Sequence, residues 1–274
     1  MELKYLEYLH KSLEQFYHNP AQGFWRSLEC KLISEVKMQA PILDLGCGDG
    51  SFAKTVFSFP ISDGIDLSEE DISRAAEKGI YERLTVGDAR NLPYQSESFQ
   101  TVFSNCVLEH IPDIEKVLSE VSRVLKPEGV FIFTVPSEKF GQGLFYYKAL
   151  KIFHIKLAER YAVNKNKRLY HINCLSEDEW RQKLEKQGLK IDHAVPFMPY
   201  SAECLWDFLD EIFVLGFRKY RLYNGIILLS KIIGREKIVN CYKWFLNKAY
   251  LNSIKPDLPE EHGAFMIIAK KNYR

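Results

Sequence analysis

The sequence contains no C-x-x-C pair, although it has six cysteines: Cys30, Cys47, Cys106, Cys174, Cys204 and Cys241. That spacing indicates neither a zinc knuckle nor a thioredoxin-like dithiol, and no metal set is expected. No apolar run is long enough to span a bilayer. The longest, Gly225 to Gly234, is interrupted by Lys231. The first residues, Met1-Glu2-Leu3-Lys4-Tyr5-Leu6-Glu7, are amphipathic and do not read as a secretory signal. A reduced, cytoplasmic setting is the expectation. Neither sign of charge dominates: Lys and Arg total 37, Asp and Glu 36, for a net charge of +1. The overall balance therefore names no partner. No G-K-[ST] ending follows any glycine turn, which removes a nucleoside triphosphate P-loop.

What is present is an ordinary globular composition, with 46% hydrophobic and 27% charged residues over 274 positions. That length suffices for one large domain or a domain with a sizeable insertion. Two amphipathic helices are predicted first. Leu6, Leu9, Leu13 and Phe16 share one face, Pro20 and Gly23 break the helix, and Trp25, Leu28, Leu32 and Val36 repeat the spacing.

From Pro41 onward the pattern becomes alternating strands and helices. Strands are expected at Ile42–Leu45, Ile61–Ile65, Leu84–Val86, Phe99–Ser104, Val130–Val135, Leu189–Val195 and Ala264–Ala269. Ser68 reads as an N-cap followed by the acids Glu69, Glu70 and Asp71. Lys126-Pro127-Glu128-Gly129 stops the helix that carries Ile114, Val117, Leu118, Val121 and Leu125. Ser137 to Tyr170 does not alternate cleanly and holds the basic tetrad Lys165-Asn166-Lys167-Arg168. Repeated β-α units imply a parallel sheet with helices on both faces. Such sheets bind ligands at the carboxyl ends of their strands.

Chemistry concentrates at those ends. Asp44-Leu45-Gly46-Cys47-Gly48-Asp49-Gly50 places three alternating glycines after a strand and before a helix. The spacing is G-x-G-x-G, not the G-x-G-x-x-G of pyrophosphate binding, which disfavours a nicotinamide-dependent oxidoreductase. Asp44, Asp66 and Asp88 recur every twenty-two residues, about one β-α repeat. An acid about twenty residues past the turn commonly accepts from ribose hydroxyls, and Asp66 fits that position. Taken singly, such an Asp is as readily a helix N-cap.

Together with Gly64-Ile65-Asp66-Leu67-Ser68, Gly87-Asp88-Ala89, Asn105-Cys106-Val107-Leu108-Glu109-His110-Ile111 and Arg123 to Gly129, this stretch resembles the class I S-adenosylmethionine-dependent methyltransferases. The resemblance is closest to the small-molecule branch that includes quinone-biosynthesis enzymes, and it covers about residues 40–136. It implies a Rossmann-like, mostly parallel seven-stranded sheet with N-terminal helices and a helical insertion before the last strand. The implied organisation is a helical lid over 1–38 and a core over 39–196 and 260–274, interrupted by an insertion at 137–175. A helical aromatic and basic insertion occupies 197–259.

The resemblance also implies roles. Asp44 and the Gly46-Cys47-Gly48 backbone would hold the amino-acid end of S-adenosylmethionine. Asp66 would bind the ribose diol, with Leu67 near the adenine. Asp88 would receive the adenine amino group, with Ala89 beside the ring. Asn105 and Cys106 would floor the space where methyl meets acceptor. Glu128 departs from the usual Pro or Gly of that turn.

The cofactor carries the hard chemistry, so the protein need only align the acceptor for in-line displacement. Such orientation supplies roughly 7–11 kcal/mol. His110, with neighbouring Glu109, is the first candidate base, and His171 the second. Each can equally be a packing or capping residue. The expected product is S-adenosylhomocysteine, and the expected acceptor is small or lipid-like.

Residues 197–224 hold Phe197, Tyr200, Trp206, Phe208, Phe213, Phe217, Tyr220 and Tyr223. Between Arg218 and Lys248 lie eight basic residues and one acid, Glu236. Ile238, Tyr242, Phe245, Leu246 and Ala249 form one apolar helical face. Segment 218–248 could therefore lie on an anionic membrane, line an acceptor pocket, or pack as a helix with a solvated cationic back. An RNA or other nucleic-acid methyltransferase using the basic insertion is the alternative reading. Ser104-Asn105-Cys106-Val107 lacks the N/D-P-P-[YF] and Pro-Cys patterns of base methylation. A cofactor-binding scaffold with a dead acceptor site is a third. Oligomeric state is not legible.

Overall fold

The computed structural model describes residues 2–214, 222–254 and 261–272. Their contacts divide into two compact units. One comprises 34–138, 168–196 and 264–274, and holds the sheet. The other comprises 1–33, 139–167 and 197–263, and is mainly helical.

The sheet unit begins with β1 (Ile42–Leu45), all four residues of which are buried. It continues through α3 (Ser51–Val56), β2 (Ile61–Asp66), α4 (Glu69–Lys78), β3 (Tyr81–Val86), β4 (Phe99–Asn105), α5 (Ile114–Val124) and β5 (Leu125–Pro136). After an excursion into the helical unit come α8 (Glu177–Lys186), β6 (Leu189–Pro199) and β7 (His262–Lys271). The seven strands lie in the order β3-β2-β1-β4-β5-β7-β6. β1, β2, β3, β4 and β5 pair in parallel, and β7 runs antiparallel to β5. This is the Rossmann-like, mostly parallel sheet expected from the sequence.

Local chemistry explains these elements. Ser68 caps α4 by accepting from the Asp71 N–H at 3.2 Å. Ser176 and Glu179 form a reciprocal capping box on α8, and Gly188 follows with φ +74°. α5 buries Ile114, Val117, Leu118, Val121 and Val124. They join a core with Phe131, Phe133, Trp180 and Ile267. Glu128, the departure noted above, adopts φ +59°, a left-handed conformation more usual for glycine.

The helical unit contains α1 (Glu2–Gln15), α2 (Pro20–Ile33), α6 (Phe145–Phe153), α7 (Ile155–Arg168), α9 (Tyr200–Val214), α10 (Leu222–Ile233) and α11 (Arg235–Ser253). Pro20 does not break a helix but opens α2, where its missing N–H costs nothing. Gly23 lies inside α2. A Cβ there would come within 3.3 Å of the Leu13 side chain and the Ser12 carbonyl of α1, so the residue permits close helix packing. Val36, expected on this face, lies beyond the helix end.

The basic tetrad is also not a surface patch throughout. Lys165 is buried, with Nζ 2.7 Å from Asp207, 2.8 Å from Asp210 and 2.9 Å from Glu211. The apolar face of α11 is likewise occupied: Ile238, Tyr242 and Leu246 are buried within the unit. Phe245, on the same stripe, is 47% exposed. Phe217, Arg218, Lys219, Tyr220 and Arg221 lie outside the described residues. No described helix is long and apolar enough to cross a membrane.

Candidate functional site

β1 delivers Asp44 and then turns through Gly46 (φ +77°) and Gly48 (φ +52°). Side chains rarely tolerate this conformation. At Gly46 a Cβ would also sit 2.5 Å from a methyl of Val107, so the turn can pass only as glycine. The Gly46 and Cys47 N–H groups both donate to the Ile65 carbonyl, at 2.8 and 3.0 Å, which ties the corner to the end of β2.

Asp66 closes β2. Its carboxylate accepts from the Gly48 N–H at 2.8 Å and from the Ser68 N–H at 2.9 Å. Two oxygens offer about four acceptor sites, so capacity remains for further donors. Asp44 is buried and accepts from the Tyr81 hydroxyl at 2.7 Å. Burial pushes its carboxyl up to about 7, the Tyr81 hydrogen bond opposes this, and nearby Asp66 adds to it. No cation among the described residues compensates Asp44.

Asp88 lies two residues beyond β3. Arg90 grips its carboxylate through Nε at 3.0 and 3.1 Å and a terminal nitrogen at 2.7 Å, and its own N–H also donates at 2.9 Å. That guanidinium contact holds the Asp88 carboxyl below the usual range.

Asn105 ends β4 and Cys106 follows it. The Thr134 hydroxyl of β5 donates to Asn105 Oδ1 at 2.9 Å. The Cys106 N–H donates to the Thr134 carbonyl at 3.1 Å, with Cys106 at φ +51°.

A 3-10 turn, Leu108–His110, follows. His110 Nδ1 lies 3.1 Å from the Tyr170 carbonyl, which can only accept, so Nδ1 carries the hydrogen. His110 Nε2 is 3.6 Å from the Glu109 carboxylate. The His171 ring lies 5.6 Å from that of His110. Burial, reinforced by the charge of His110, lowers His171 to about 4. It is therefore neutral near pH 7. The loop holding His171 is fixed because the Ile172 and Asn173 N–H groups donate to the Glu109 carbonyl, at 2.7 and 3.1 Å.

A cavity of about 290 Å³ opens among these groups. Gly46, Asp66, Leu67, Asp88, Ala89 and His110 line it, and the structure adds Ile65, Arg90, Val107 and Ile111. Asp44, Cys47, Gly48, Asn105, Cys106, Glu109 and His171 are not on its wall. Sequence reasoning missed Arg90, Tyr81 and Val107. Arg90 had a signal, a cation two residues after the acid in Asp88-Ala89-Arg90. Tyr81 had none, because it reaches Asp44 across 37 residues.

A family model described as a methyltransferase domain matches residues 43–133. The chain carries a class I methyltransferase domain.

This domain is of the S-adenosylmethionine-dependent type. A sterol 24-C-methyltransferase of Gibberella zeae is 36% identical over 35% of this chain and 27% of its own. A demethylmenaquinone methyltransferase of Desulfitobacterium hafniense is 30% identical over 47% of this chain and 56% of its own. The chain therefore matches a quarter to a little over half the length of these two curated relatives. Among solved structures, a SAM-dependent methyltransferase of Thermotoga maritima superposes with a TM-score of 0.55 at 18% identity, covering 97% of this chain and 100% of that one. At that identity the likeness shows the fold.

Proposed function

We propose that this chain transfers a methyl group from S-adenosylmethionine to a small, lipid-like acceptor. The observation that carries the reading is Asp44, a buried carboxylate beside the glycine corner with no described cation to neutralise it. An uncompensated buried charge is costly, and an arriving ammonium group relieves that cost. The amino-acid end of the donor supplies such a group. Asp66, with acceptor capacity left over and a place on the cavity wall, suits a ribose diol. Asp88, oriented by Arg90, and the apolar Leu67, Ala89 and Ile111 suit a planar base.

When bound, the donor supplies a sulfonium-activated methyl group. The chain supplies alignment and exclusion of water. His110 donates from Nδ1 to the Tyr170 carbonyl, which leaves Nε2 of the neutral ring as the acceptor. When Nε2 takes a proton, the Glu109 carboxylate at 3.6 Å stabilises the resulting cation. His171 stays neutral, which avoids a second positive charge beside it. The lipid-like class of acceptor rests on relatives named for sterols and demethylmenaquinone.

Titration calorimetry with S-adenosylhomocysteine and with NAD tests the donor. Binding of the first and not the second is expected, and tighter binding of NAD would overturn the reading. Labelled methyl transfer to sterol, quinone and phospholipid panels tests the acceptor. For an acceptor that must shed a proton, His110→Gln should lower kcat about a hundredfold with little change in KM. An unchanged kcat would remove His110 as the base.

A further inference from the structure

The helical unit contains two helix corners that leave large apolar side chains exposed. At the first, α6 ends at Phe153, His154 is extended, and α7 starts at Ile155. Every residue from Lys151 to Leu157 is exposed, with Ile152 at 80% and Phe153 at 88%. Three lysines, Lys148, Lys151 and Lys156, accompany this tip, and no carboxylate occurs between Phe145 and Ala158. At the second corner, Ile232 is 75% and Ile233 40% exposed between α10 and α11, with Lys231, Arg235 and Lys237 alongside one acid, Glu236.

Large apolar side chains left this open are costly in water. A patch that covers another protein is normally broad and leaves each side chain partly sheltered. Near-complete exposure of adjacent Ile and Phe marks a protrusion instead, and a protrusion inserts. An anionic bilayer meets both demands of this chemistry. Its acyl region accepts the apolar tip, and its headgroups attract the flanking lysines, whose methylene stems reach along the apolar surface. A protein partner would have to offer a deep apolar socket ringed with carboxylates.

We propose that the chain docks peripherally on an anionic membrane through the Ile152–Phe153 tip, with Lys148, Lys151 and Lys156 at the headgroups and the Ile232 corner as a second point of contact. This differs from docking through the apolar face of α11, where the unit already buries Ile238, Tyr242 and Leu246.

The test is flotation of the full chain with vesicles of phosphatidylcholine, alone or mixed with phosphatidylglycerol. The chain should float with the mixed vesicles and not with phosphatidylcholine alone, and added salt should weaken the association. Ile152→Ser combined with Phe153→Ser should reduce the bound fraction about tenfold. Lys151→Glu combined with Lys156→Glu should do the same. Both variants alter exposed positions and should keep the wild-type affinity for S-adenosylhomocysteine. Failure of the wild-type chain to float with anionic vesicles would overturn the proposal, as would variants that float equally well. A wild-type chain that self-associates until the Ile152/Phe153 variant makes it monomeric, without vesicle binding, would assign the tip to a second copy and also overturn it. Docking and methyl transfer fail separately: loss of S-adenosylhomocysteine binding in the wild type would sink the donor reading and leave flotation untouched.

Discussion

Each of the two units buries a carboxylate, and the two acids are held differently. In the sheet unit, Asp44 sits at the end of β1 with a neutral Tyr81 hydroxyl as its donor, and burial pushes it up to about 7. In the helical unit, Glu203 of α9 accepts from the Gly141 N–H at 2.8 Å, and burial pushes it up to about 8. Glu203 is enclosed: a Cβ at Gly143 or Gly263 would come within 2.5 Å of its carboxylate. Asp44 instead adjoins a glycine corner where a Cβ at Gly48 would meet nothing within 4 Å. The same physical cause, desolvation, acts on both. One acid is enclosed by the backbone of its own unit, and the other is buried beside the glycine corner. The helical unit also sets a cation among its acids, with Lys165 bridging Asp207, Asp210 and Glu211. Asp44 has no such partner. The contrast separates charge used to hold a unit together from charge kept available for a ligand.

The largest expected effect would break the helical side of this comparison. Lys165→Met leaves the buried Asp207 and Asp210 and the half-buried Glu211 without their cation and should cost about 3–5 kcal/mol of stability, read by urea denaturation. A loss under about 1 kcal/mol would mean that the cluster is more hydrated than it looks. On the sheet side, Asp66→Ala should weaken S-adenosylhomocysteine binding about a hundredfold, since hydrogen bonds to a charged group are each worth about 1.5–3 kcal/mol. Unchanged affinity would take Asp66 out of the donor site.

The buried acids themselves give subtler, pH-dependent effects. Asp44 rises from an ordinary 3.8 to about 7, so the folded state holds its proton more tightly than the unfolded chain does. Stability from this group is present at low pH and is lost as pH rises through about 7. Affinity for an ammonium-bearing ligand should run the other way, strengthening as Asp44 ionises. Asp44→Asn should therefore raise Tm by a few degrees at pH 8 while weakening S-adenosylhomocysteine binding about tenfold and flattening its pH dependence. Glu203→Gln should raise Tm by an amount that grows from about pH 4.5 to about pH 8 and should leave ligand affinity alone. Equal effects of the two variants on binding would erase the distinction between the units.

Much of the sheet unit was legible because its signals are local. Alternating apolar strands, the Ser68 cap, the glycine corner and the acids at 44, 66 and 88 each depend on neighbours within a few residues or on one β-α repeat. The helical unit was less so. Gly23 read as a breaker because only contact with α1 reveals it as a packing site. Lys165 read as part of a basic run because its partners lie 45 and 46 residues away on α9. The apolar stripe of α11 was visible, but not that the unit itself would cover it.

The sequence by itself determined the alternation of strands and helices in the sheet unit, the left-handed glycine turn and the spacing that brings acids to one edge of a parallel sheet. These follow from backbone stereochemistry and periodicity, which act over short stretches of chain. Tertiary structure alone decided which charges are compensated, which acids are desolvated and which apolar side chains stay in water. Those outcomes depend on what packs against each group, and a distant segment of the chain supplies that neighbour.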